Sequence, residues 1–564
     1  MQDDERQHLS TSIERRGAAG QIDRRGVLQL LAAAGVGPTV ASATADRAMT
    51  AASAQGVAGR GIDRAYDYVV VGAGSAGCVI AALLSENASC RVLLVEAGGN
   101  DVNRPAVQNP LLWRSNFGTD VDWAYRTTPQ TKAAERPIDW PRGKILGGSS
   151  SINAMIWVWG HPTDFDQWAN AGNRGWGYAE MNPIFRGIET CSRKKAGDAR
   201  GRRGPMYVGP VAEPLPFTAG FIEACREAGH DVLDDVGAPI CDGAAYMDLN
   251  VKDGRRFSVV HGYLLAALGR PNLTVLTGAR AEKLLFEGSR CSGVRLRIDG
   301  VAHEIASERE TILCAGVVES PRLLMVSGIG NADELRSNGI AVVSDSPGVG
   351  ENLQDHLLIP AFVAEAKAQM PPSARAESHL FFRSVTSAHS PDMQALFSPR
   401  ALGTNEISAD DGYTILLALV RPESRGRLRI ASADPNGPLL IDPRYLSAET
   451  DLTRLCAALD HARAIGSAAG LSEWRKREMR RAPSERRALR EFIARNVGSY
   501  WHPVGTCAMG IHDRAVVDPA LRVRGVSGLR VADASIMPTI TSGNTNAPTI
   551  AIAERAARMI AQVQ

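Results

Sequence analysis

The sequence predicts an α/β protein, and two features lead to that fold class. The run 66–71 is rich in β-branched and aromatic residues, and it is followed by the glycine-rich turn 72–77 and the apolar, helix-like segment 78–84. A second strand-like run, 91–95, comes next, so the order strand, helix, strand predicts the start of a parallel sheet. The chain has 564 residues, which is more than one hydrophobic core ordinarily holds, so two or more domains are predicted.

The turn carries the pattern Gly72-x-Gly74-x-x-Gly77, and the strand after the helix ends at Glu96. Gly72 permits the tight turn, Gly74 lets the backbone approach a pyrophosphate, and Gly77 lets the helix pack closely on the strand. The helix N-terminus offers free N–H groups to phosphates, and Glu96 can accept hydrogen bonds from ribose hydroxyls. The pattern predicts a Rossmann-like dinucleotide site rather than a plain structural turn, and it does not separate FAD from NAD.

Composition and charge argue against several other classes of protein. Lys and Arg number 63 against 61 Asp and Glu, and this near balance gives no reason to expect a nucleic-acid partner. The nine cysteines are odd in number and include no C-x-x-C pair. Neither a disulfide framework nor a zinc site is therefore predicted, and no metal is expected.

The N-terminal region has the order of an export signal. It contains the pair Arg24-Arg25, an apolar stretch over 27–40 and small residues over 41–45. We predict a twin-arginine-type signal over 1–45, a linker over 46–65 and a periplasmic or secreted protein. The apolar stretch is shorter than the roughly 20 residues of a membrane-spanning helix, so no integral membrane segment is predicted. A disordered tail on a cytoplasmic protein is the alternative.

Motif blocks along the rest of the chain carry a family resemblance. The segment 142–153 reads Arg-Gly-Lys-Ile-Leu-Gly-Gly-Ser-Ser-Ser-Ile-Asn, and 316–330 begins Gly-Val-Val-Glu-Ser-Pro-Arg-Leu-Leu. Further blocks occupy 347–356, 421–426 and 502–549. In content and order these blocks resemble the signatures of the glucose–methanol–choline (GMC) flavoprotein oxidoreductases.

The resemblance implies FAD rather than NAD. It also implies an α/β fold in which a Rossmann-like FAD-binding domain is interleaved with an α+β substrate domain built on an antiparallel sheet. The expected segments are 66–160, 225–345 and 500–564 for the FAD-binding domain, and 161–224 and 346–499 for the substrate domain. Some family members attach FAD through a histidine in the first signature. Ile152 and Asn153 stand in that neighbourhood here, so non-covalent FAD is expected.

The resemblance also implies which residues hold the cofactor. The first signature could wrap phosphates or the flavin ring with main-chain N–H groups. Ala281 matches a position whose backbone meets adenine, and Asp533 and Ala534 match a contact near the ribityl chain. The expected cofactor-binding residues are Gly72, Gly74, Ser75, Ala76, Gly77, Glu96, Ala97, Arg142, Gly147, Gly148, Ser149, Ser150, Asn153, Ala154, Met155, Ile156, Ala281, Ala315, Gly316, Asp533, Ala534, Asn546, Pro548 and Thr549.

His502 is the expected catalytic residue. Oxidation of an alcohol removes a hydride, which a flavin can take, and a proton, which needs a base. Histidine suits this task because its ordinary pKa lies near neutrality. By similarity the second polar position falls on Asn546, which can hydrogen-bond the substrate oxygen but cannot act as a base. Trp501 either walls the substrate pocket or belongs to the core, and His356 is expected to orient a loop.

A helix is predicted to start beside the active site. Pro548 suits the first turn of a helix, and Ile550, Ala553, Ala557 and Ile560 form one apolar stripe. The positive end of this helix could stabilise negative charge on the flavin.

The expected function is FAD-dependent oxidation of the CH–OH group of a small-molecule alcohol to an aldehyde or ketone. Three alternatives remain open at this point: an NAD-dependent Rossmann enzyme, a hydroxynitrile-lyase-like enzyme of the same fold, and a non-enzymatic flavin-binding protein. The electron acceptor, whether oxygen, a quinone or a cytochrome, and the alcohol are left open by the sequence.

Overall fold

The computed structural model describes residues 62–194, 199–211, 213–371, 375–385, 389–404, 406–480 and 482–562. The predicted export signal and almost all of the predicted linker lie outside these residues.

The first sheet has seven strands and a mixed architecture. Its parallel strands are Leu273–Leu276, Val92–Val95, Ala65–Val71, Val301–Leu313 and Leu529–Val531, in that order across the sheet. The long strand Val301–Leu313 also continues into an antiparallel meander with Arg290–Ile298 and Ala279–Glu287. The central strands are apolar and buried at nearly every position, as expected of a parallel sheet covered on both faces.

The second sheet also has seven strands, and all of their pairings are antiparallel. The order across it is Arg475–Arg480, Leu357–Ala366, Gly412–Leu419, Met393–Ser398, Ser378–Phe382 and Gly243–Tyr246, with Gly498–Ser499 beside the start of Leu357–Ala366. The two sheets confirm the predicted fold class, a Rossmann-like domain interleaved with an antiparallel-sheet domain.

Helices and short strand pairs complete the fold. The α-helices are Gly77–Leu84, Pro105–Gln108, Pro162–Asn170, Tyr178–Ile188, Pro216–Glu227, Leu265–Ala267, Gly316–Val326, Ala332–Ser337, Glu449–Ser467, Arg486–Asn496 and Asn546–Ala561. The strand pairs outside the large sheets are Tyr125–Arg126 with Asp139–Trp140, Glu189–Cys191 with Met206–Val208, Val251–Lys252 with Arg255–Arg256, Ile329–Gly330 with Ser344–Asp345, and Arg427–Ile430 with Leu439–Asp442. Short 3-10 turns include Pro110–Asn116 and Gly148–Ser151.

The C-terminal helix confirms the predicted apolar stripe. It spans Asn546–Ala561, so it starts two residues before Pro548, and the four stripe residues are all buried. Its buried face packs against the helices Gly77–Leu84 and Tyr178–Ile188. This packing brings helix N-termini from distant parts of the sequence to one region of the molecule.

Two features link the segments expected in different domains. Gly243–Tyr246 was expected in the FAD-binding domain, but it pairs with Ser378–Phe382 at the edge of the second sheet. Conversely, the indole N–H groups of Trp168 and Trp176 donate to backbone oxygens of the C-terminal segment, at Thr539 and Pro519. Short edge strands and cross-domain tryptophan contacts depend on tertiary pairing, which local sequence patterns do not reveal.

Among the described residues, no helix combines the length and the apolar character that a membrane crossing would need.

Candidate active site

A cavity runs from the carboxyl ends of the strands Ala65–Val71 and Val92–Val95 to the second-sheet face that carries Leu358, Leu396 and Leu416. In open α/β sheets, ligands bind outside the carboxyl ends of the parallel strands. The cavity also receives residues from the first signature and from the C-terminal motif, so the segments that carry the family resemblance converge on it.

The nucleotide end of the cavity is built from closely approaching glycines. Gly72 has φ +99°, and a Cβ atom there would lie 2.6 Å from the carbonyl oxygen of Cys314. A Cβ on Gly77 would lie 1.9 Å from the oxygen of Gly72, and one on Gly148 would lie 2.7 Å from Cα of Gly74. Any side chain at these three positions would therefore displace backbone. This close approach explains why glycine occupies positions 72 and 77 of the turn and position 148 of the first signature.

Backbone N–H groups complete this end of the cavity. The helix Gly77–Leu84 begins at Ala76 without a side-chain cap, which leaves its first turn able to donate to a ligand. The uncapped helix start and the bare glycine surface beside it fit the pyrophosphate of FAD. Gly72, Gly74, Ser75, Ala76, Gly148 and Ser149 would hold that group.

Glu96 lies where a ribose-binding carboxylate is expected. Its carboxylate accepts hydrogen bonds from the backbone N–H groups of Ala73, at 3.1 Å, and Gly98, at 2.8 Å. Burial raises its pKa to about 7, because removal from water disfavours the charged form. Glu96 would thus hold the ribose of FAD beside the second strand of the sheet.

Most of the expected cofactor-binding residues line the cavity, and Gly77, Gly147, Ser150 and Pro548 do not. Two of these residues support the loops behind the cavity. The N–H of Gly147 donates to the carbonyl of Ala73 at 2.7 Å, and the Ser150 hydroxyl donates to the carbonyl of Gly147 at 2.6 Å. The first of these bonds holds the first signature against the glycine turn.

His502 lies in the cavity wall, with both ring nitrogens engaged. Its Nε2 atom is 3.0 Å from the side-chain amide nitrogen of Asn544, and its Nδ1 atom is 3.0 Å from Nδ1 of His356. An amide NH₂ can only donate, so Nε2 of His502 accepts and its proton resides on Nδ1, which donates to His356. The lone pair on Nε2 of His502 therefore points at the Asn544 amide, and both residues line the cavity.

The surroundings of His502 keep it neutral. Its pKa is lowered well below the ordinary value, first by burial and then by the neighbouring His356 and Arg142. Burial likewise lowers the pKa of His356 to about 3. A histidine that is neutral at pH 7 is free to accept a proton.

Asp355 anchors the backbone that carries His502. One carboxylate oxygen accepts the N–H of His502 at 2.8 Å, and the other accepts the hydroxyls of Tyr445 and Ser499, each at 2.5 Å. Burial raises the pKa of Asp355 to about 6. Asp355 and His356 were missed as site residues, although their adjacency in the block 347–356 was the available signal.

Trp501 forms part of the cavity wall, which resolves its two predicted roles. Its φ of +62° is in the left-handed region, a conformation that costs of order 1–3 kcal/mol for a non-glycine residue. Two hydrogen bonds hold it there: its N–H donates to the Ser499 hydroxyl at 2.7 Å, and its carbonyl accepts from Arg142 at 2.5 Å. This locked turn sets the direction in which the next residue, His502, leaves the backbone.

The asparagine that contacts His502 in this structure is Asn544, whereas Asn546 was expected at the second polar position. Gly543 has φ +79° and packs against Val158 and Ile240, and this turn directs the buried Asn544 to the histidine. Asn546 is already the first residue of the C-terminal helix. Its side-chain oxygen accepts the hydroxyl of Ser75 at 2.8 Å, so it lines the cavity next to the glycine turn.

Comparison with known proteins agrees with this architecture. An alcohol dehydrogenase (acceptor) from Pseudomonas putida is 38% identical over 529 residues, which cover 88% of this chain and 95% of that protein. The mitochondrial choline dehydrogenase of Homo sapiens is 38% identical over 538 residues, or 88% of this chain and 89% of that protein. The crystal structure of pyridoxine 4-oxidase from Mesorbium loti superimposes with a TM-score of 0.85 at 38% identity, covering 88% and 99% of the two chains.

Two family models match the chain in succession. The N-terminal GMC oxidoreductase model matches residues 66–358, and the C-terminal GMC oxidoreductase model matches residues 422–553. The first match alone covers more than half of the chain. The chain therefore belongs to the GMC oxidoreductase family of FAD-binding flavoproteins and is an enzyme of that family.

Proposed function

We propose that this enzyme oxidises the CH–OH group of a small alcohol, with His502 as the proton acceptor and Asn544 as the residue that holds the substrate oxygen. The observation that carries the proposal is the neutral His502 ring, whose Nε2 atom lies 3.0 Å from the Asn544 amide in the cavity wall. The relatives named for the oxidation of alcohols, choline and pyridoxine support the reaction class.

The bound FAD supplies the hydride acceptor. The protein must remove the hydroxyl proton at the same place. His502 can do so because its Nε2 atom carries a lone pair and its Nδ1 proton is held by His356. A substrate hydroxyl would have to replace the hydrogen bond between Asn544 and His502, and it would then donate to Nε2 and accept from the amide.

Positioning residues lower the barrier by holding this geometry before the substrate arrives. Asp355 fixes the backbone N–H of His502, and Arg142 fixes the carbonyl of the preceding residue. The positive charge of Arg142 also lowers the pKa of His502, so it helps to keep the ring neutral before the substrate binds. Near-attack alignment of this kind is a large source of rate enhancement in enzymes.

The test is to mix the enzyme with alcohols in the absence of oxygen and to monitor reduction of the bound flavin through the loss of flavin absorbance. We expect the wild-type protein to bleach, and we expect His502→Ala to retain FAD while it loses roughly 10²–10⁴ in rate, the range for one acid–base group. Near-wild-type bleaching in that variant would show that another group takes the proton. Turnover with flavin that stays oxidised would instead support the lyase alternative.

Export, the electron acceptor and the mode of FAD attachment are also proposals. We propose that the N-terminal segment is a twin-arginine signal that directs the folded flavoprotein to the periplasm or outside the cell. Oxygen, a quinone or a cytochrome would then reoxidise the flavin. Stopped-flow reoxidation by air-saturated buffer compared with a quinone dye separates oxidase from dehydrogenase behaviour. Release of FAD on acid precipitation tests the proposed non-covalent binding.

A further inference from the structure

The charged residues of the cavity are divided unevenly between its two ends. Its carboxylates, Glu96, Glu319 and Asp533, belong to segments around the first sheet. Each of them already accepts local hydrogen bonds; those of Glu319 come from Tyr125 and Arg322. At the end formed by the second sheet and Trp501, the charged side chains that line the cavity in the described part of the chain are arginines.

Arg114 is the central cation of this end. It lies on the short turn Pro110–Asn116, with its guanidinium carbon 4.8 Å from the ring centre of Trp113 and 5.8 Å from that of Trp501. Within the described residues its guanidinium forms no ion pair and no hydrogen bond. Burial lowers its pKa to about 10, and the nearby Arg400 adds to the effect.

A second arginine, Arg375, lines the same end of the cavity. Its guanidinium pairs with Glu377 at 3.0 Å, and the Glu377 carboxylate also accepts the N–H of Leu215 and the Thr218 hydroxyl. The Nε atom of Arg375 is buried and has no hydrogen-bond partner. Arg375 is thus partly neutralised and Arg114 is not, so the local field favours an anion and opposes a cation.

Arg114, Trp501 and His502 line the same cavity. The ring of Trp501 lies under the Arg114 guanidinium, and the next residue in the chain is His502. Phe117 and Trp113 meet Trp501 edge-on, with ring centres 5.3 Å and 6.1 Å away. A flat body between Arg114 and His502 would therefore contact aromatic side chains.

We propose that the alcohol substrate carries an anionic group, such as a carboxylate, on a planar body, and that Arg114 binds this group while the hydroxyl faces His502. The inference rests on the proposed function and adds the substrate class to it. Quaternary ammonium alcohols such as choline are disfavoured, although choline dehydrogenases are among the relatives. An unneutralised guanidinium in a cavity is well suited to a carboxylate, which it can bind with two parallel hydrogen bonds.

The test uses three benzylic alcohols of different charge with the FAD-loaded enzyme: 4-(hydroxymethyl)benzoate, benzyl alcohol and 4-(hydroxymethyl)benzyltrimethylammonium. We expect kcat/KM for flavin reduction to be at least about 10-fold higher for the anion than for the neutral alcohol, mainly through KM, and lower again for the cation. Equal values for anion and cation, or a preference for the cation, would overturn the inference. If benzyl alcohol reduced the flavin and the two charged alcohols did not, the inference would be overturned and the proposed function would stand.

Variants assign the preference to Arg114. We expect Arg114→Met to reduce the anion-to-cation ratio about 10-fold or more, Arg114→Lys to retain part of it, and the exposed Arg487→Met to leave it unchanged. An unchanged ratio in Arg114→Met would overturn the assignment.

A binding experiment decides the inference without turnover. Benzoate, which cannot be oxidised at a CH–OH group, is titrated into wild type and Arg114→Met while the flavin absorbance is followed. We expect a perturbation in wild type whose Kd rises at least about 10-fold in the variant. Absence of binding to wild type, or equal Kd values, would contradict the anion site. If Arg114→Met does not fold, the substrate series on the wild-type protein still decides.

Discussion

Asn544 donates its side-chain amide to Nε2 of His502 across 3.0 Å, and it thereby marks the place where a substrate hydroxyl would bind. Two residues later, Asn546 accepts the hydroxyl of Ser75. Two asparagines in one short motif therefore have different tasks. One faces the reacting group, and the other ties the C-terminal helix to the glycine turn.

Substitution separates these two asparagines. We expect Asn544→Ala to lower kcat/KM for an alcohol about 10–100-fold, because a charge-assisted or substrate-orienting hydrogen bond is lost. We expect Asn546→Ala to weaken FAD retention more than it slows flavin reduction. Rapid-reaction reduction rates and FAD-to-protein ratios measure the two effects. A larger rate loss in Asn546→Ala than in Asn544→Ala would reverse the assignment.

His356 is expected to act as a positioning residue for the base. His356→Leu removes the acceptor that holds the Nδ1 proton of His502, so we expect kcat to fall about 10-fold. Because His356→Asn offers a side-chain oxygen in its place, it should recover part of that loss. The pH profile of kcat is the discriminating readout, since a purely structural role would leave its shape unchanged in the folded variants.

The acid limb of kcat/KM should lie below pH 6.5. His502 must be neutral to accept a proton, and burial, His356 and Arg142 lower its pKa. Activity is therefore retained as the pH falls through the ordinary histidine range and is lost only at lower pH. Flavin-reduction kinetics between pH 4.5 and 9 would measure this limb. A limb at or above pH 6.5 would mean that the buried environment does not suppress protonation.

Acid should also destabilise the fold through buried histidines away from the site. Burial lowers the pKa of His379 to about 3, so between pH 6.5 and about 3 the unfolded chain binds more protons than the native protein. This contribution to the free energy of unfolding is complete above pH 6.5 and is lost as the pH falls towards 3. In this pH range, His379→Gln should reduce the slope of the free energy of unfolding against pH by up to about 1.4 kcal/mol per pH unit. Urea unfolding at several pH values measures that slope. Above pH 7 the variant and wild type should show parallel pH dependence.

The glycine cradle can be tested by adding one methyl group. A Cβ on Gly77 would lie 1.9 Å from the oxygen of Gly72, so Gly77→Ala must move backbone, with an expected cost of about 1–3 kcal/mol and reduced FAD uptake. Gly269→Ala is the matched control, because nothing lies within 4 Å of the added atom there. Thermal unfolding and FAD content should separate the two variants. Equal behaviour would contradict the close packing of turn and helix.

The predicted secondary structure around the glycine turn agrees closely with the structure because local signals determine it. Three consecutive valines, the glycine pattern and an apolar helix each act within a few residues, and the structure has strands Ala65–Val71 and Val92–Val95 around helix Gly77–Leu84. The pairing of Asn544 with His502 had no such signal. Both asparagines lie in Gly543-Asn544-Thr545-Asn546, and only the helix start at Asn546 and the turn at Gly543 distinguish them.

Long motifs that resemble those of the family determined the cofactor class and the interleaved fold, and they predict His502 as the base. Tertiary structure alone decided which side chains surround that histidine and which charged side chains line the cavity. His356 and Asn544 reach the ring from segments far apart along the chain, and Arg114 reaches the cavity from a third. Such contacts arise when separate elements pack together, and their geometry is set by the whole core rather than by any one stretch of residues.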